Sequence, residues 1–146
     1  MNQPRFYCRE ALSPGAHVDL PEPVARHAVR VLRLPPGAAV VLFDGRGGEY
    51  DARIERIERD RVVAALGAWR DVERESGLAV TLIQAVQAGE KMDYTVQKAV
   101  ELGVARVMPV QTAHTNSERI RQDRLQAHAV EAAEQCGATV VPEVAA

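Results

Sequence analysis

The chain has 146 residues, of which 47% are hydrophobic and 26% charged, and its net charge is −2. This composition is typical of a globular protein, and so small a net charge argues neither for nor against a nucleic-acid partner. No apolar run reaches the roughly 18 residues of a membrane span, and the N-terminus has no apolar signal segment. Cys8 and Cys136 match no metal-binding or redox spacing. We therefore expect a reduced, cytoplasmic protein with no membrane segment and no metal.

Residues 1–72 predict a small β-rich domain. "RFYC" and "AHVDL" are short strands, and "PEPVARHAVRVLRL" is a helix that "PPG" ends. The helix carries one apolar stripe: Val24, Ala28, Val31 and Leu32. Three strands follow, "AVVLFD", "EYDARIERI" and "RVVAALGAW", and alternation turns four side chains of the middle one inward. These are Tyr50, Ala52, Ile54 and Ile57. Strand repeats with one short helix favour a small β-barrel.

The composition changes after the polar segment "RDVERESG", which places a linker at residues 73–77 and a second domain at residues 78–146. "LAVTLIQAV" and "VARVMPV" are nearly continuous apolar runs, as expected of parallel strands covered on both faces. The helix between them, "GEKMDYTVQKAVELG", ends at Gly103. Together they predict one right-handed βαβ unit.

A longer helix, "SERIRQDRLQAHAVEAAEQCG", follows, with Asn116 or Ser117 as its N-cap and Gly137 as its end. A third strand begins within "ATVVPEV". Three strands and two helices leave a parallel sheet short of the layers that normally cover both of its faces. We therefore expect either a partner chain that covers the sheet or a longer protein of which these residues are a part.

The first helix of the second domain presents polar side chains beside an apolar stripe. The stripe has four members: Met92, Val96, Ala99 and Val100. Lys98 and Glu101 lie outside it at i and i+3, a spacing that by itself predicts a solvated surface pair. Open parallel sheets place ligands at the carboxyl ends of their strands. "QAGEK" (87–91) lies at such an end and is the better candidate for approaching a substrate, although it also suits a plain strand-to-helix turn.

The second helix offers a similar choice. Its polar stripe consists of Arg124, His128, Glu131 and Gln135. A lone histidine there is typical of a surface residue rather than a catalytic base. The opposite stripe suits close packing against another helix, because alanine predominates in it: Leu125, Ala129, Ala132, Ala133 and Cys136.

Arginines form a possible ridge on the helix of the first domain. Arg26, Arg30 and Arg33 fall at i, i+4 and i+7. Contact with phosphates is one interpretation, and a solvated charged face is the other. "GRGGEY" (45–50) is not a dinucleotide-binding motif, and the sequence has no P-loop, no H-E-x-x-H and no G-x-S-x-G. The residues alone thus predict an RNA-binding protein that consists of a β-barrel and an α/β segment.

Five motifs occur in order along the chain: "PRFY", "HAVRVLRLPPG" (27–37), "LFDGRGGEY" (42–50), "GEKMDYTVQKAVELGV" (89–104) and "EAAEQCG" (131–137). In these the chain resembles the RsmE family of 16S ribosomal RNA uridine-N3 methyltransferases, over essentially its whole length. Each motif alone is loose, but five in order at matching intervals are highly specific.

The resemblance implies an RNA-binding PUA-like β-barrel followed by a SPOUT-class α/β domain with a trefoil knot. It implies S-adenosylmethionine (SAM) as methyl donor, 16S rRNA or the small ribosomal subunit as partner, and a homodimer with its active site near the subunit interface. Methylation at N3 of uracil requires loss of the N3 proton, so a base or an oriented water is needed. The resemblance singles out no side chain in this sequence as that base.

The matching motifs carry candidate site residues. Arg5, Arg30 and Arg33 match motif arginines, and we expect them, with Arg26, to contact RNA. Another group falls in the loop that in relatives approaches the substrate: Asn116, Ser117, Glu118 and Arg119. Of these, Asn116 and Arg119 are expected to contact RNA. A third group matches "QK…ELG" and "EAAEQ" and is expected near the cleft: Lys98, Glu101, Glu131, Glu134 and Gln135.

The sequence departs from the family pattern at two places. Ala138 stands where many relatives have arginine after the glycine. The family's "GPEGG" loop and the segment "R-x-L-R-x-E-T", which hold the donor and form the knot, do not occur in the 146 residues. We therefore expect the N-terminal part of a SPOUT domain, with no SAM site of its own and no activity by itself. The alternatives are a non-catalytic RNA-binding module and a purely structural dimerisation fragment.

Overall fold

A computed structural model describes residues 3–73, 75, 77–115 and 120–145. The chain divides into two compact units, Met1–Glu73 and Arg74–Ala146, and each unit is described by itself. No described helix has the length and hydropathy needed to cross a bilayer. Within the same residues, no group of three or more His, Cys, Asp or Glu side chains is placed to hold a metal ion.

The first unit is a five-stranded sheet with one helix. Its strands are β1 (Arg5–Tyr7), β2 (His17–Asp19), β3 (Ala39–Phe43), β4 (Glu49–Glu58) and β5 (Arg61–Arg70). They pair in the order β1-β3-β4-β5-β2, parallel between β1 and β3 and antiparallel elsewhere. All the strands predicted from the sequence are present.

One hydrophobic core collects side chains from across this sheet, which is how a strongly curved, barrel-like sheet buries its inner face. Tyr50, Ala52 and Ile54 are at most 8% exposed, and Ile57 packs against the core while partly buried. The alternation predicted for β4 is therefore confirmed.

The helix of the first unit differs from its prediction. Helix α1 (Glu22–Arg26) continues as a π-helical segment, His27–Val31, in which the Leu32 N–H donates to the His27 carbonyl. A bond of the i→i+5 type widens the helix and rotates later residues away from the α-helical phase. The predicted apolar stripe is therefore wrong at its end, because Val31 is 64% exposed and Leu32 is 40% exposed.

The second unit alternates strands and helices. Its elements are β6 (Thr81–Ala85), α2 (Glu90–Glu101), β7 (Arg106–Val110), α3 (Gln122–Cys136) and β8 (Glu143–Val144). The strands are parallel in the order β6-β7-β8. Right-handed crossovers in this order put both helices on one face. Ile83, on β6, is 65% exposed, so the described helices leave part of one face of this sheet open.

The helices of the second unit bury most of their predicted stripes. Met92, Val96 and Val100 are buried in α2, with Ala99 half-buried. Helix α3 buries Leu125, Ala129, Ala132 and Ala133. Cys136 is exposed, contrary to prediction, because it lies at the very end of α3. Gly103 and Gly137 have positive φ angles and follow the two helices as predicted. The predicted N-caps, Asn116 and Ser117, lie outside the described residues, and α3 begins only at Gln122.

Candidate functional site

A polar cleft opens at the carboxyl ends of β6 and β7. Its volume is about 250 Å³, and these residues line it: Gln84, Ala85, Val86, Gln87, Ala88, Thr112, His114 and Thr115. The segments that follow neighbouring parallel strands meet at this edge, which is where such sheets bind ligands. Gln87 and Ala88, the first two residues of the segment 87–91, line the cleft, and their approach to a substrate stays a prediction.

Hydrogen bonds fix the polar groups on both sides of the cleft. The Thr95 hydroxyl, one turn into α2, donates to Gln87 Oε1 at 2.6 Å. This bond uses the Gln87 oxygen and not its NH2 group, and Gln87 lines the cleft. Across from it, the Thr112 N–H donates to Thr115 Oγ1 at 2.9 Å, and the two threonine hydroxyls lie 2.8 Å apart. The cleft can therefore hold a neutral polar group by hydrogen bonds.

Sequence reasoning missed the second wall of this cleft. Thr112, His114 and Thr115 follow β7 directly, and the rule that favoured the segment after β6 applies equally to the segment after β7. The expectation drawn from this rule covered only the segment after β6. Asn116 and Arg119, which the family resemblance assigned to RNA contact, lie outside the described residues, as do Ser117 and Glu118.

The cleft does not fit SAM, the donor implied by the resemblance. Its volume is below the roughly 300–1,000 Å³ of typical small-molecule pockets. No carboxylate among the described residues lines it, although SAM presents an ammonium group, a sulfonium and ribose hydroxyls. This cleft therefore offers few partners for the charged groups of SAM.

Lys98 and Glu101 form the solvated pair that spacing alone predicted. Lys98 Nζ lies 2.9 Å from Glu101 Oε2, and this carboxylate raises the pKa of Lys98. The pair lies near the end of α2, which runs antiparallel to the strands, and the Ala105 N–H donates to the Val80 carbonyl just before β6. Twelve residues of α-helix span roughly 18 Å. The pair is therefore at the opposite edge of the sheet from the cleft.

Glu131, Glu134 and Gln135 lie in the last turns of α3, which has the same direction as α2. Just after α3, the Thr139 N–H donates to Glu75 Oε1 at 2.8 Å, and Glu75 precedes β6. These three side chains are thus also at the amino-terminal edge of the strands. The helix directions separate all five residues from this cleft, and a role at a cleft formed elsewhere stays a prediction.

His128 has a structural partner. Its Nε2 lies 3.4 Å from Asp93 Oδ1, and Arg124 Nη2 lies 2.7 Å from Asp93 Oδ2. Asp93 belongs to α2, so this cluster ties the two helices together. The sequence indicates a surface residue rather than a catalytic base at this position; the His128 side chain is 35% exposed, and its contact with Asp93 adds a structural role.

Arg5 is partly buried in an ion-pair cluster. Its side chain is 14% exposed, stacks over the Phe43 ring at 4.6 Å, and places Nη2 3.1 Å from Glu49 Oε2. Arg70 Nη2 lies 2.9 Å from the other oxygen of Glu49, whose side chain is 2% exposed. Contact between Arg5 and RNA would require breaking this cluster, so the geometry gives Arg5 a structural role.

The helix arginines are exposed, but two of them have carboxylate partners. Arg26 pairs with Glu22, and Arg30 holds both oxygens of Asp60, at 3.2 and 2.8 Å. Arg33 follows the π-helical segment with a φ of 52°, and it has no ionic partner among the described residues. The continuous ridge predicted for an α-helix is therefore absent. Arg33 is the side chain of the three that is available to an anion without first losing a partner.

Comparison with known proteins gives two family matches. The model for "RNA methyltransferase domain" matches residues 74–146, and the model for "RNA methyltransferase PUA domain" matches residues 20–66. Together they cover parts of both units in the order that the sequence predicted.

Similar structures and relatives agree with these matches. A ribosomal RNA small subunit methyltransferase E from Neisseria gonorrhoeae, solved with S-adenosyl methionine, is 39% identical with a TM-score of 0.92. A Legionella pneumophila methyltransferase bound to SAM is 30% identical, with a TM-score of 0.95. Each match covers 99% of this chain and 62% of the other. Ribosomal RNA small subunit methyltransferase E of Bacillus subtilis is 27% identical over 124 residues, 81% of this chain and 48% of that protein.

The chain thus spans about half to three fifths of the length of these relatives. A family model covers half of the chain, and a PUA model covers the helix, β3, β4 and part of β5 of the first unit. SAM is the cofactor with which two similar proteins were solved. The chain belongs to the RsmE family of ribosomal RNA methyltransferases.

Proposed function

We propose that the chain takes part in SAM-dependent methylation of a uridine at N3 in 16S ribosomal RNA. The observation that carries the proposal is the ordered match of a PUA domain and an RNA methyltransferase domain. Relatives named ribosomal RNA small subunit methyltransferase E support the choice of substrate. In this proposal the first unit holds the RNA, and the second unit supplies part of the catalytic domain.

Exposed arginines of the first unit support RNA binding. Arg26, Arg30 and Arg33 lie at or just after one helix, and Arg33 has no carboxylate partner among the described residues. Arginine forms charge-assisted hydrogen bonds to phosphate oxygens, and such contacts supply most non-specific affinity for nucleic acid. Contacts of this kind fix the position of the RNA and carry little sequence information.

The chemistry of methylation at N3 of uracil defines two requirements for the catalytic domain, a proton acceptor and a means of positioning the base. Uracil must lose its N3 proton before N3 can accept a methyl group, so an acceptor for that proton must lie within hydrogen-bond reach. Holding the base in a productive geometry supplies a large share of the rate in reactions of this type. The polar groups fixed around the cleft, Gln87, Thr112 and Thr115, suit the positioning of a base rather than the removal of its proton.

The resemblance further supports a homodimer that works in the cytoplasm, where ribosomes are assembled. A sheet with a largely exposed Ile83 is compatible with additional cover from a second copy or from further chain. Sedimentation equilibrium of the purified protein tests the first point, with a mass twice that of one chain as the expected result.

Deletion of the reading frame that encodes this chain tests the proposed function. N3-methyluridine cannot form a Watson–Crick pair, so it stops primer extension on 16S rRNA. We expect the stop to disappear in the deletion strain and to return when the complete frame is restored. A stop that persists at full strength in the deletion strain would contradict the proposal.

A non-catalytic RNA-binding module is the second candidate. The observation that favours it is the cleft, which is small and has no carboxylate in its lining. If deletion leaves every 16S rRNA methylation intact while the purified chain still binds rRNA, this second role is the correct one.

A further inference from the structure

Two arginines of the first unit have a backbone conformation that is normally taken by glycine. Arg33 has a φ of 52° and Arg59 a φ of 58°. Every other residue with a positive φ in the described part of the chain is a glycine, and there are eight of these. A side chain at such a φ costs free energy, because its Cβ approaches the backbone. Strain of this kind is concentrated at functional sites, so the surroundings of the two arginines are informative.

Glycine is the usual residue at both positions. Arg59 is the first residue of the two-residue loop 59–60 between β4 and β5, and glycine is the usual residue there when φ is positive. Arg33 follows Leu32, the C-cap of the helix, at the position where glycine commonly ends helices. A cation is favoured near a helix C-terminus, which accounts for an arginine at position 33 but not for one at position 59.

An ion pair joins the end of this helix to the tip of the β4–β5 hairpin. Arg30 donates to both carboxylate oxygens of Asp60, from Nε at 3.2 Å and from Nη2 at 2.8 Å. Arg33 follows Arg30 by three residues, which is about one helical turn, and Arg59 directly precedes Asp60 in the loop. Each of the two strained arginines therefore lies close in sequence to one member of the same ion pair.

The carboxylates near the hairpin tip are already held by other arginines. Three ion pairs account for them: Arg30–Asp60, Arg61–Asp19 and Arg56–Glu58. Arg33 and Arg59 are both exposed, and neither has an ionic partner among the residues that the structure describes. These two side chains are thus the positive charge in excess at this surface, and both are available to an anion.

We propose that Arg33 and Arg59 each contact a phosphate of the RNA backbone, one at the end of the helix and the other at the tip of the β4–β5 hairpin. The proposal rests on the proposed RNA-binding role of the first unit and adds to it a contact outside the helix, at Arg59. The guanidinium fork matches phosphate oxygens. Contacts from two separate elements fix the orientation of the RNA without reading its sequence.

The salt dependence of RNA binding by the 146-residue chain tests the proposal, with the anisotropy of a dye-labelled single-stranded fragment of 16S rRNA as the readout. One lost phosphate contact lowers the slope of log affinity against log salt by about one, and near 0.1 M salt it weakens binding by about five- to tenfold. We expect this change for Arg59→Gly. The double variant Arg33→Gly/Arg59→Gly should lose about twice as much slope. Equal affinity and slope for wild type and Arg59→Gly would overturn the proposal.

Glycine at position 59 separates binding from folding, because it suits the positive φ. Arg59→Gly should therefore unfold at a urea concentration no lower than wild type does. Arg59→Lys keeps the charge and should keep most of the slope. A slope that falls as much for lysine as for glycine would contradict a phosphate contact made through charge.

Arg9→Gly is the matched control for loss of one positive charge. Arg9 is exposed and follows β1, where the Cys8 N–H donates to the Phe43 carbonyl. Strand pairing places Phe43 beside the start of β4, and Arg59 follows its end. We expect Arg9→Gly to keep the wild-type slope. A loss equal to that of Arg59→Gly would refute a local contact at the hairpin tip. These binding assays need no methyl transfer, so they can fail while the rRNA methylation test succeeds, and the reverse also holds.

Discussion

Glu49 is a carboxylate buried between two guanidinium groups, Arg5 on β1 and Arg70 on β5. For a single arginine, an ion pair with a buried carboxylate determines whether its side chain stabilises the fold or is available to bind a ligand. The motif "PRFY" made Arg5 a candidate for RNA contact, and nothing in that motif indicates a partner 44 residues away. A contact between residues so distant in sequence follows from strand pairing, which a motif does not reveal.

Arg5→Met should destabilise the first unit and leave RNA affinity nearly unchanged. Loss of hydrogen bonds to a buried charge costs about 1.5–3 kcal/mol, and the free energy of unfolding in urea measures it. Arg9→Met is the control, because Arg9 is exposed and surface changes stay within about 0.5 kcal/mol. Unchanged stability together with weaker RNA binding would restore Arg5 as an RNA contact.

Tyr50 shows how an inward position predicted by alternation acquires a specific role. Its hydroxyl donates to the Leu12 carbonyl at 3.0 Å, and burial, with a smaller contribution from Asp44, raises its pKa. The inward direction could be predicted from the pattern of β4. The acceptor could not, because Leu12 lies in an irregular segment 38 residues earlier.

Tyr50→Phe should lower the free energy of unfolding at neutral pH by about 0.5–1.5 kcal/mol, the usual worth of one hydrogen bond. A raised pKa means that the folded state keeps the proton longer than the unfolded state. The contribution of Tyr50 is therefore complete below the ordinary tyrosine pKa of about 10 and is lost as the pH rises above it. The difference between wild type and variant in urea denaturation should shrink from about pH 10 upward. A difference that stays constant or grows would contradict this assignment.

At the scale of elements, the helix of the first unit is the clearest departure from prediction. A 3.6-residue period placed Val31 and Leu32 inside, and the π-helical segment His27–Val31 turns both toward solvent. Propensity and the 3.6-residue spacing carry no signal for a single i→i+5 bond. Strand β7 is a related case: Pro109 lies in the middle of a three-stranded sheet, and β8 pairs only with Arg106 and Val107. The missing proline N–H therefore disturbs no described pairing with β8.

Substitutions on the buried and the exposed side of this helix distinguish the α-helical arrangement predicted from the sequence from the π-helical arrangement in the structure. Val31→Lys should change the free energy of unfolding by less than about 0.5 kcal/mol, because the side chain is already in water. Ala28→Leu should cost about 1–3 kcal/mol, because Ala28 is fully buried and overpacking strains a core. Chemical denaturation measures both. A large loss of stability for Val31→Lys would show that the predicted α-helical stripe is correct.

At the scale of the whole molecule, periodicity predicted the order of elements in both units, and burial in α2 and α3 follows the predicted stripes except at Cys136. The position of the cleft followed from the rule for parallel strands, at least on the side of Gln87. The family motifs do not reveal the directions of α2 and α3. These directions place Lys98 and Glu101, and the three α3 residues Glu131, Glu134 and Gln135, at the edge of the sheet opposite the cleft. A motif near the end of a helix lies at the amino-terminal edge of the strands, whatever its residue types.

Titration of SAM into the 146-residue chain should give no binding in the micromolar range. The described cleft is small and has no carboxylate lining, so it offers few partners for the charged groups of SAM. Isothermal titration calorimetry measures this, and a full-length relative that was solved with SAM, such as the Neisseria gonorrhoeae enzyme, is the positive control. Micromolar binding by the chain alone would show that its residues form a donor site.

RNA binding by the first unit is the claim that both candidate roles require. The affinity of the chain for a single-stranded 16S rRNA fragment, measured at several salt concentrations, tests it with Arg33→Glu against the exposed control Arg121→Glu. One lost phosphate contact lowers the slope of log affinity against log salt by about one. We predict that loss, with weaker binding, for Arg33→Glu and no change for Arg121→Glu. Identical affinity and slope for wild type and Arg33→Glu would contradict RNA binding at this surface.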